Sequence, residues 1–518
     1  MTQASSTDDD FDFIVCGAGS SGSVVARRLA QHPDVRVLLL EAGGDDRDPA
    51  VRIPDLWASN IGTDRDWAFL GEPGPAVNDR TLLLSMGKLL GGGSSINAMV
   101  WARGHKSDWD LFAAETGDLA WNYDSALDTY RRVEDWQGPP DPSYRGVGGP
   151  VFVAPVSNPN PVAPIVVEAA LSMDIPTFSG PNAAMMEARS GASLTELLIR
   201  DGERQSIFRS YTSPYLDRPN LVVLTHALVR RITFDGTRAT GVEILHRGTV
   251  RRIAAHAEVV MSMGSINTPK VLMQSGVGDE NELRRFGIRT VQHLPGVGRN
   301  LQDHVAFDCV WEFNKPAQPD GRGGAVVFWN STSGLEAPDL LLYQGAFPHA
   351  TAENAARFGL PEHGWGMLGG LAHPSSRGRV TLTGPNPDDP VRIEANTLTD
   401  PEDMVTAVAG IEGMRQIGNS PNLREFVKRE VMPGNLKGAE LENYIRDAAT
   451  TFWHVVGTAK MGLDDMSVVN ADLAVYGIEN LRVADASVMP RITTANTMAP
   501  CVIIGEHAAQ RITGRHAL

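Results

Sequence analysis

A chain of 518 residues, 42% hydrophobic and 21% charged, holds more than one core usually supports, so two or more domains, or one large domain with a second layered on it, are expected. The composition excludes fibrous and low-complexity architectures, and no run of eighteen apolar residues suggests a membrane span. A formal charge of -16 without a Lys/Arg run argues against a nucleic-acid partner and mainly favours solubility.

The polar, acidic start "MTQASSTDDD" has neither the basic head nor the apolar stretch of a secretory signal, so a cytoplasmic enzyme is expected. Cys16, Cys309 and Cys501 are far apart and lack CxxC spacing, which points to no disulfide framework and no metal site.

Residues 11–44, "FDFIVCGAGSSGSVVARRLAQHPDVRVLLLEAGG", read as strand, glycine turn, helix, strand. Phe11 to Cys16 and Val35 to Leu40 are short apolar runs suited to strands buried on both faces, while Val24, Val25, Leu29 and Ala30 give the helix one apolar side. Gly17, Gly19 and Gly22 form G-x-G-x-x-G in the turn. The first glycine makes the turn, the second admits a pyrophosphate to the backbone, and the third lets helix and strand pack closely. Glu41 ends the second strand, placed to accept from a ribose hydroxyl. An acid there disfavours a 2′-phosphate, so FAD or NAD precedes NADP.

Two more glycine-rich segments, "GKLLGGGSSINAMVWARG" at 87–104 and "GSINTPKVLMQSGVG" at 264–278, offer backbone amides without side-chain bulk to a flat or phosphate-bearing ligand. In the second, Thr268 and Pro269 look like a helix start and Gly276 like its stop. Residues 158–205 and 311–446 differ in style, with Pro/Gly-rich turns and alternating runs such as "GRVTLTG" at 378–384, which predict half-buried strands of an antiparallel sheet. They read as a substrate-facing domain inserted twice into a nucleotide domain made of 1–157, 206–310 and 447–518. In the last part, "NLRVADASVMP" is strand-like then turn, and "CVIIGEHAAQRIT" is helix-like.

Together these glycine segments resemble the signatures of the glucose-methanol-choline (GMC) oxidoreductases, FAD-dependent alcohol oxidases and dehydrogenases, and above all their choline-oxidising and hydroxymethylfurfural-oxidising branches. "LPGVGRNLQDH" at 294–304, "SRGRVTL" at 376–382 and "VADASVMP" at 483–490 are similar to further family landmarks, and the likeness runs in order over nearly the whole chain. The resemblance implies an α/β fold, α+β overall: a doubly wound FAD domain interrupted by a substrate domain on an antiparallel sheet. It also implies roles. Gly17, Gly19, Gly22 and Glu41 would hold the ADP half of FAD, with Val229 at the adenine. Gly92, Ser94, Asn97, Ala98, Met99 and Val100 would lie along the flavin, with Asp485, Ala486, Asn496 and Thr497 bordering the rest of it. Ile96 stands where members that tether FAD carry a histidine, so the FAD is expected to be non-covalent.

His454 in "TFWHVVGTAKMG" matches the family's base, and Asn496 in "TTANTMAP" its partner. His373 matches a histidine that contacts the substrate hydroxyl in choline oxidases; Trp453, Phe347 and Trp365 are candidate walls for a planar substrate. An alcohol is a poor hydride donor until its hydroxyl proton is leaving, and an imidazole of ordinary pKa, about 6.5, can take that proton near neutrality. The Asn496 amide can donate to the forming alkoxide. The expectation is oxidation of a primary alcohol to the aldehyde, onward oxidation to the acid through the hydrate being open, with molecular oxygen or another acceptor as partner. No carboxylate is identified that would hold a quaternary ammonium, so an aromatic or heteroaromatic alcohol is favoured over choline or another aliphatic alcohol. A non-catalytic FAD-binding protein is the alternative of another class, and the pairing of His454 with Asn496 speaks against it. Oligomeric state is open.

Overall fold

Two seven-stranded sheets organise the chain in a computed structural model that describes residues 10–314 and 323–518. In the first, Asp10–Cys16 is central. Val37–Leu40 and then Leu221–Leu224 lie parallel on one side of it, and Thr249–Met261 lies parallel on the other. The long strand Thr249–Met261 continues antiparallel into Arg238–His246 and Ala227–Asp235, and its end also pairs parallel with Leu481–Val483. The apolar runs that predict doubly buried strands are buried throughout at Val37–Leu40 and Leu481–Val483. The helices Ser20–Ala30 and Met498–His516 pack on one another in the same core. Cys16, Leu40, Leu224, Met261 and Val483 thus end at one edge, where open α/β sheets place their ligands.

The second sheet is antiparallel, in the order Val427–Met432, Val305–Phe313, Gly364–Leu371, Leu340–Gly345, Ala325–Trp329, Gly191–Leu194, with Thr450–Thr451 beside the start of Val305–Phe313. Its strands come from chain on both sides of positions 310 and 446. One face packs under the helices Pro401–Gly418 and Ala163–Ala170 through Trp311, Trp329, Ile411 and Met414. The other face carries Val326, Leu341, Tyr343 and Phe452 toward Ala102 and Ala495 of the first unit. The two sheets therefore enclose a space between nucleotide edge and apolar sheet face.

Two local expectations change. The helix expected to start at Thr268 runs over Gly264–Gln274, with Pro269 inside it. The Ser265 carbonyl, left without the proline's N–H, instead accepts from the Thr458 hydroxyl at 2.6 Å. The alternating run Arg379–Leu382 is a strand, but it pairs with Val391–Glu394 in a separate two-stranded ribbon. Among the described residues no helix is long and apolar enough to cross a membrane, and no cluster of three His, Cys, Asp or Glu could hold a metal.

Candidate active site

The strand ends open on a cavity of about 1140 Å³, lined by Gly17, Glu41 and Val229 among its nucleotide-edge residues and by Trp453, His454 and Asn496 among those facing the second sheet. Gly17 has φ +100°, and a Cβ there would stand 2.3 Å from the Ser262 carbonyl, so only glycine makes this turn. A Cβ on Gly92 would stand 2.9 Å from Gly19 Cα, so two glycine turns touch and form one floor. Glu41 is buried; its carboxylate accepts from the amides of Ala18 at 3.1 Å and Gly43 at 2.8 Å. Burial pushes its carboxyl up to about 7 against the pull of those amides.

The next wall is a strained turn held from behind. Met99 has φ +60°, and Asn97 Oδ1 accepts both from the Met99 amide at 2.9 Å and from Arg204 at 2.8 Å. Arg204 also donates to the carbonyls of Val51 and Ser94, and burial lowers its guanidinium to about 9. The Asp485 carboxylate ties together Gly264 N, Thr268 Oγ1 and Ser487.

At the substrate-sheet side, Thr450–Thr451 pairs with Val305–Ala306, which sets residues 452–454 beside 303–304. Asp303 accepts from the His454 amide at 2.8 Å and from the Thr451 hydroxyl, and burial raises its carboxyl to about 7. Trp453 turns through φ +61°, its indole N–H donating to the Leu83 carbonyl at 3.0 Å. His454 lies parallel to Phe452, with ring centroids 5.7 Å apart.

Around His454 the hydrogen bonds have one possible direction. Burial pushes the His454 imidazole down to about 3, and burial with His454 nearby lowers His304 well below the usual histidine value, so both rings are neutral near pH 7. His304 Nε2 is 2.9 Å from the Thr493 carbonyl, which can only accept, so that nitrogen carries the proton and Nδ1 is bare. His454 Nδ1, 2.9 Å away, must then donate to it. That leaves the lone pair on His454 Nε2, facing Asn496 Nδ2 at 3.1 Å. The Tyr343 hydroxyl donates to Asn496 Oδ1 and so keeps the amide N–H toward the histidine. The result is a neutral imidazole with its basic nitrogen presented beside an amide donor, in a wall that also holds Phe452, Leu368 and Val100.

GMC oxidoreductase family models match residues 11–306 and 374–505. The chain belongs to the GMC oxidoreductase family. An alcohol dehydrogenase [acceptor] of Pseudomonas putida is 35% identical over 97% of this chain and 95% of its own. An oxygen-dependent choline dehydrogenase of Citrobacter koseri is 36% identical over 98% and 96%. Among solved structures, pyridoxine 4-oxidase from Mesorbium loti superposes with a TM-score of 0.92 at 30% identity, covering 98% of this chain and 99% of that one. As a GMC oxidoreductase the chain is an FAD-dependent enzyme of alcohol oxidation.

The cavity fits FAD. A Cβ on Gly93 would meet nothing within 4 Å, so the glycine floor faces open space, and the N-terminal residues Ser20 and Ser21 of the first helix border it. Of the residues singled out in the sequence, the cavity gathers Gly17, Gly19, Glu41, Gly92, Ser94, Asn97, Ala98, Met99, Val100, Val229, Asp485, Ala486, Asn496 and Thr497, with His454, Trp453 and Phe347. Phe347 is 66% exposed.

Three residues lie elsewhere. Gly22 is outside the lining: its Cβ would stand 1.9 Å from the Gly17 carbonyl, so its lack of a side chain lets the helix pack closely on the turn. His373 also misses the lining, its Nε2 being 3.0 Å from the buried Asp108. Burial alone would raise the Asp108 carboxyl, but His373 and Arg491 hold it well below the usual range. Trp365 is fully buried, stacked at 4.7 Å on Trp311 under the helices, and is no substrate wall. His454 itself departs from the ordinary pKa of about 6.5, because burial favours the neutral ring. Sequence reasoning did not single out His304, Asp303 or Tyr343 as site residues. The first two end the quoted stretch "LPGVGRNLQDH", where a second histidine was the available signal; Tyr343 gave none.

Proposed function

We propose that the protein oxidises primary aromatic or heteroaromatic alcohols to aldehydes, with His454 as the base and Asn496 as donor to the developing alkoxide. The one-way hydrogen-bond chain from Tyr343 to Thr493 carries this reading. Bound FAD supplies the hydride acceptor. A substrate hydroxyl that replaces the 3.1 Å bond between Asn496 Nδ2 and His454 Nε2 gives its proton to that imidazole nitrogen, while the freed amide N–H meets the oxygen as it gains charge. As His454 becomes positive, its Nδ1–H bond to the bare Nδ1 of His304 strengthens, and His304 is anchored on the Thr493 carbonyl. Phe452 and Trp453 supply flat apolar surface and exclude water around the carbinol. Ile96 has no nucleophile to bond a flavin, which supports non-covalent FAD. An electron acceptor, oxygen or another, completes the cycle.

Choline is the second reading, supported by a relative named choline dehydrogenase. A panel of benzylic, furanic, pyridine and aliphatic alcohols, choline included, mixed anaerobically with the holoenzyme decides between them, with peroxide followed in air. Faster flavin bleaching by aryl alcohols is expected. Faster bleaching by choline would overturn the aromatic preference, and bleaching by no alcohol would overturn the whole reading.

A further inference from the structure

The cavity has a second polar pole that the reaction above does not use. Asp308 pairs with Leu368 and Leu368 with Tyr343 on adjacent strands, and directly paired residues share a sheet face. Tyr343 holds Asn496 and Leu368 lines the cavity, so Asp308 stands on the cavity side. Its backbone is two strand spacings, about 10 Å, from that of Tyr343. The Asp308 side chain is buried, and both its carboxylate oxygens lie 3.3 Å from His349 Nδ1.

His349 itself lines the cavity. It sits on the loop after Leu340–Gly345, which folds back over Gly345 and Gly366. A Cβ on these two would stand 3.6 and 3.5 Å from the Phe347 carbonyl, in ordinary contact, so the loop lies against the sheet here. With Nδ1 donating to Asp308, the ring's other nitrogen is left for a ligand. The His349 side chain is 69% exposed, and its Nδ1 faces both oxygens of a buried carboxylate at 3.3 Å, a setting in which the protonated ring presents its second N–H outward. The bond to Asp308 raises the His349 pKa accordingly.

We propose that Asp308 and His349 form a specificity site for a hydrogen-bond-accepting anionic substituent, a carboxylate, carried on the substrate ring away from its hydroxymethyl group. The carboxylate of Asp308 is already matched by His349, so the group offered to the cavity is a donor and favours an anion over an ammonium. Asn496 and His349 line the same cavity, so one substrate can meet both. This inference rests on the aryl-alcohol reading above.

The test compares 4-(hydroxymethyl)benzoate, 4-methylbenzyl alcohol and 4-(trimethylammonio)benzyl alcohol on wild type, His349→Gln and Asp308→Asn holoenzymes. The wild type is expected to favour the carboxylate over the methyl isostere in kcat/KM. His349→Gln should lose about 10- to 100-fold on the carboxylate, the worth of one charge-assisted hydrogen bond, and less than about twofold on the methyl compound. Asp308→Asn should lose less. Binding of 4-methylbenzoate, read from the FAD absorption spectrum, reports the site without turnover and should weaken in His349→Gln. If no aryl alcohol turns over but 4-methylbenzoate binds through His349, the functional reading fails and the site stands. Equal losses on both alcohols, a wild-type preference for the ammonium, or benzoate binding indifferent to His349 would overturn the proposal.

Discussion

Replacing His304 by phenylalanine keeps a flat ring of similar size but removes both nitrogens. Two buried groups then lose their partners, the Thr493 carbonyl and the N–H on His454 Nδ1, each bonded at 2.9 Å in the native chain. An unsatisfied buried polar group costs about 1–3 kcal/mol. For Thr493 that cost falls on stability. For His454 it falls on the productive tautomer, because the bond to His304, together with the Asn496 N–H facing Nε2, holds the proton on Nδ1. A loss of about 1–3 kcal/mol there lowers the productive population about 5- to 150-fold. His304→Phe should therefore retain FAD, slow anaerobic flavin reduction by one to two orders of magnitude in stopped flow, and change KM little. His304→Gln, whose amide oxygen can again accept from Nδ1, should recover part of the rate. A His304→Phe enzyme that reduces at the wild-type rate would refute the tautomer argument.

Three further outcomes follow from the site. Heat- or acid-denatured holoenzyme should leave its yellow colour in the supernatant, because Ile96 cannot bond FAD; colour on the precipitated polypeptide would contradict this. Glu41→Ala should raise the FAD dissociation constant about 10- to 150-fold, since the carboxylate both faces the nucleotide end and braces the amides of Ala18 and Gly43; an unchanged constant by fluorescence titration would remove Glu41 from the cofactor site. For pH, the active form of His454 is the neutral ring, and its pKa is lowered to about 3, so the base stays competent as pH falls through 6.5 and is lost only in stronger acid. The acid limb of kcat/KM should accordingly lie below about pH 5, and a limb centred near 6.5 would show that the base is solvated like an ordinary histidine.

What was legible in the sequence follows the range of the forces involved. The turn at Gly17 is a local steric fact, and runs such as Val37–Leu40 declare burial on both faces by composition alone, so the nucleotide unit could be read directly. His454 and Asn496 came only through family resemblance, because nothing local distinguishes a catalytic histidine from a core one. The support behind them was hidden for a geometric reason. His304 lies 150 residues from His454 and meets it only once Thr450–Thr451 pairs with Val305–Ala306. Strand parity explains the misplaced tryptophan: Trp365 and the cavity-lining Leu368 are three positions apart on one strand, so they face opposite sides, and sequence gave no means of telling which side was helix-covered. That His373 lies off the cavity lining was hidden because its partner, the buried carboxylate of Asp108, stands 265 residues away.

The central claim is that His454 removes the hydroxyl proton of an alcohol bound against FAD. Its most direct test is anaerobic stopped-flow reduction of wild-type and His454→Ala holoenzymes by a good aryl alcohol across pH. The account predicts that the variant keeps its FAD and fold but is reduced about 10²- to 10⁴-fold more slowly, the usual worth of a general base, with binding affected far less. A variant reduced at the wild-type rate with the wild-type pH dependence would place the base elsewhere and contradict the account.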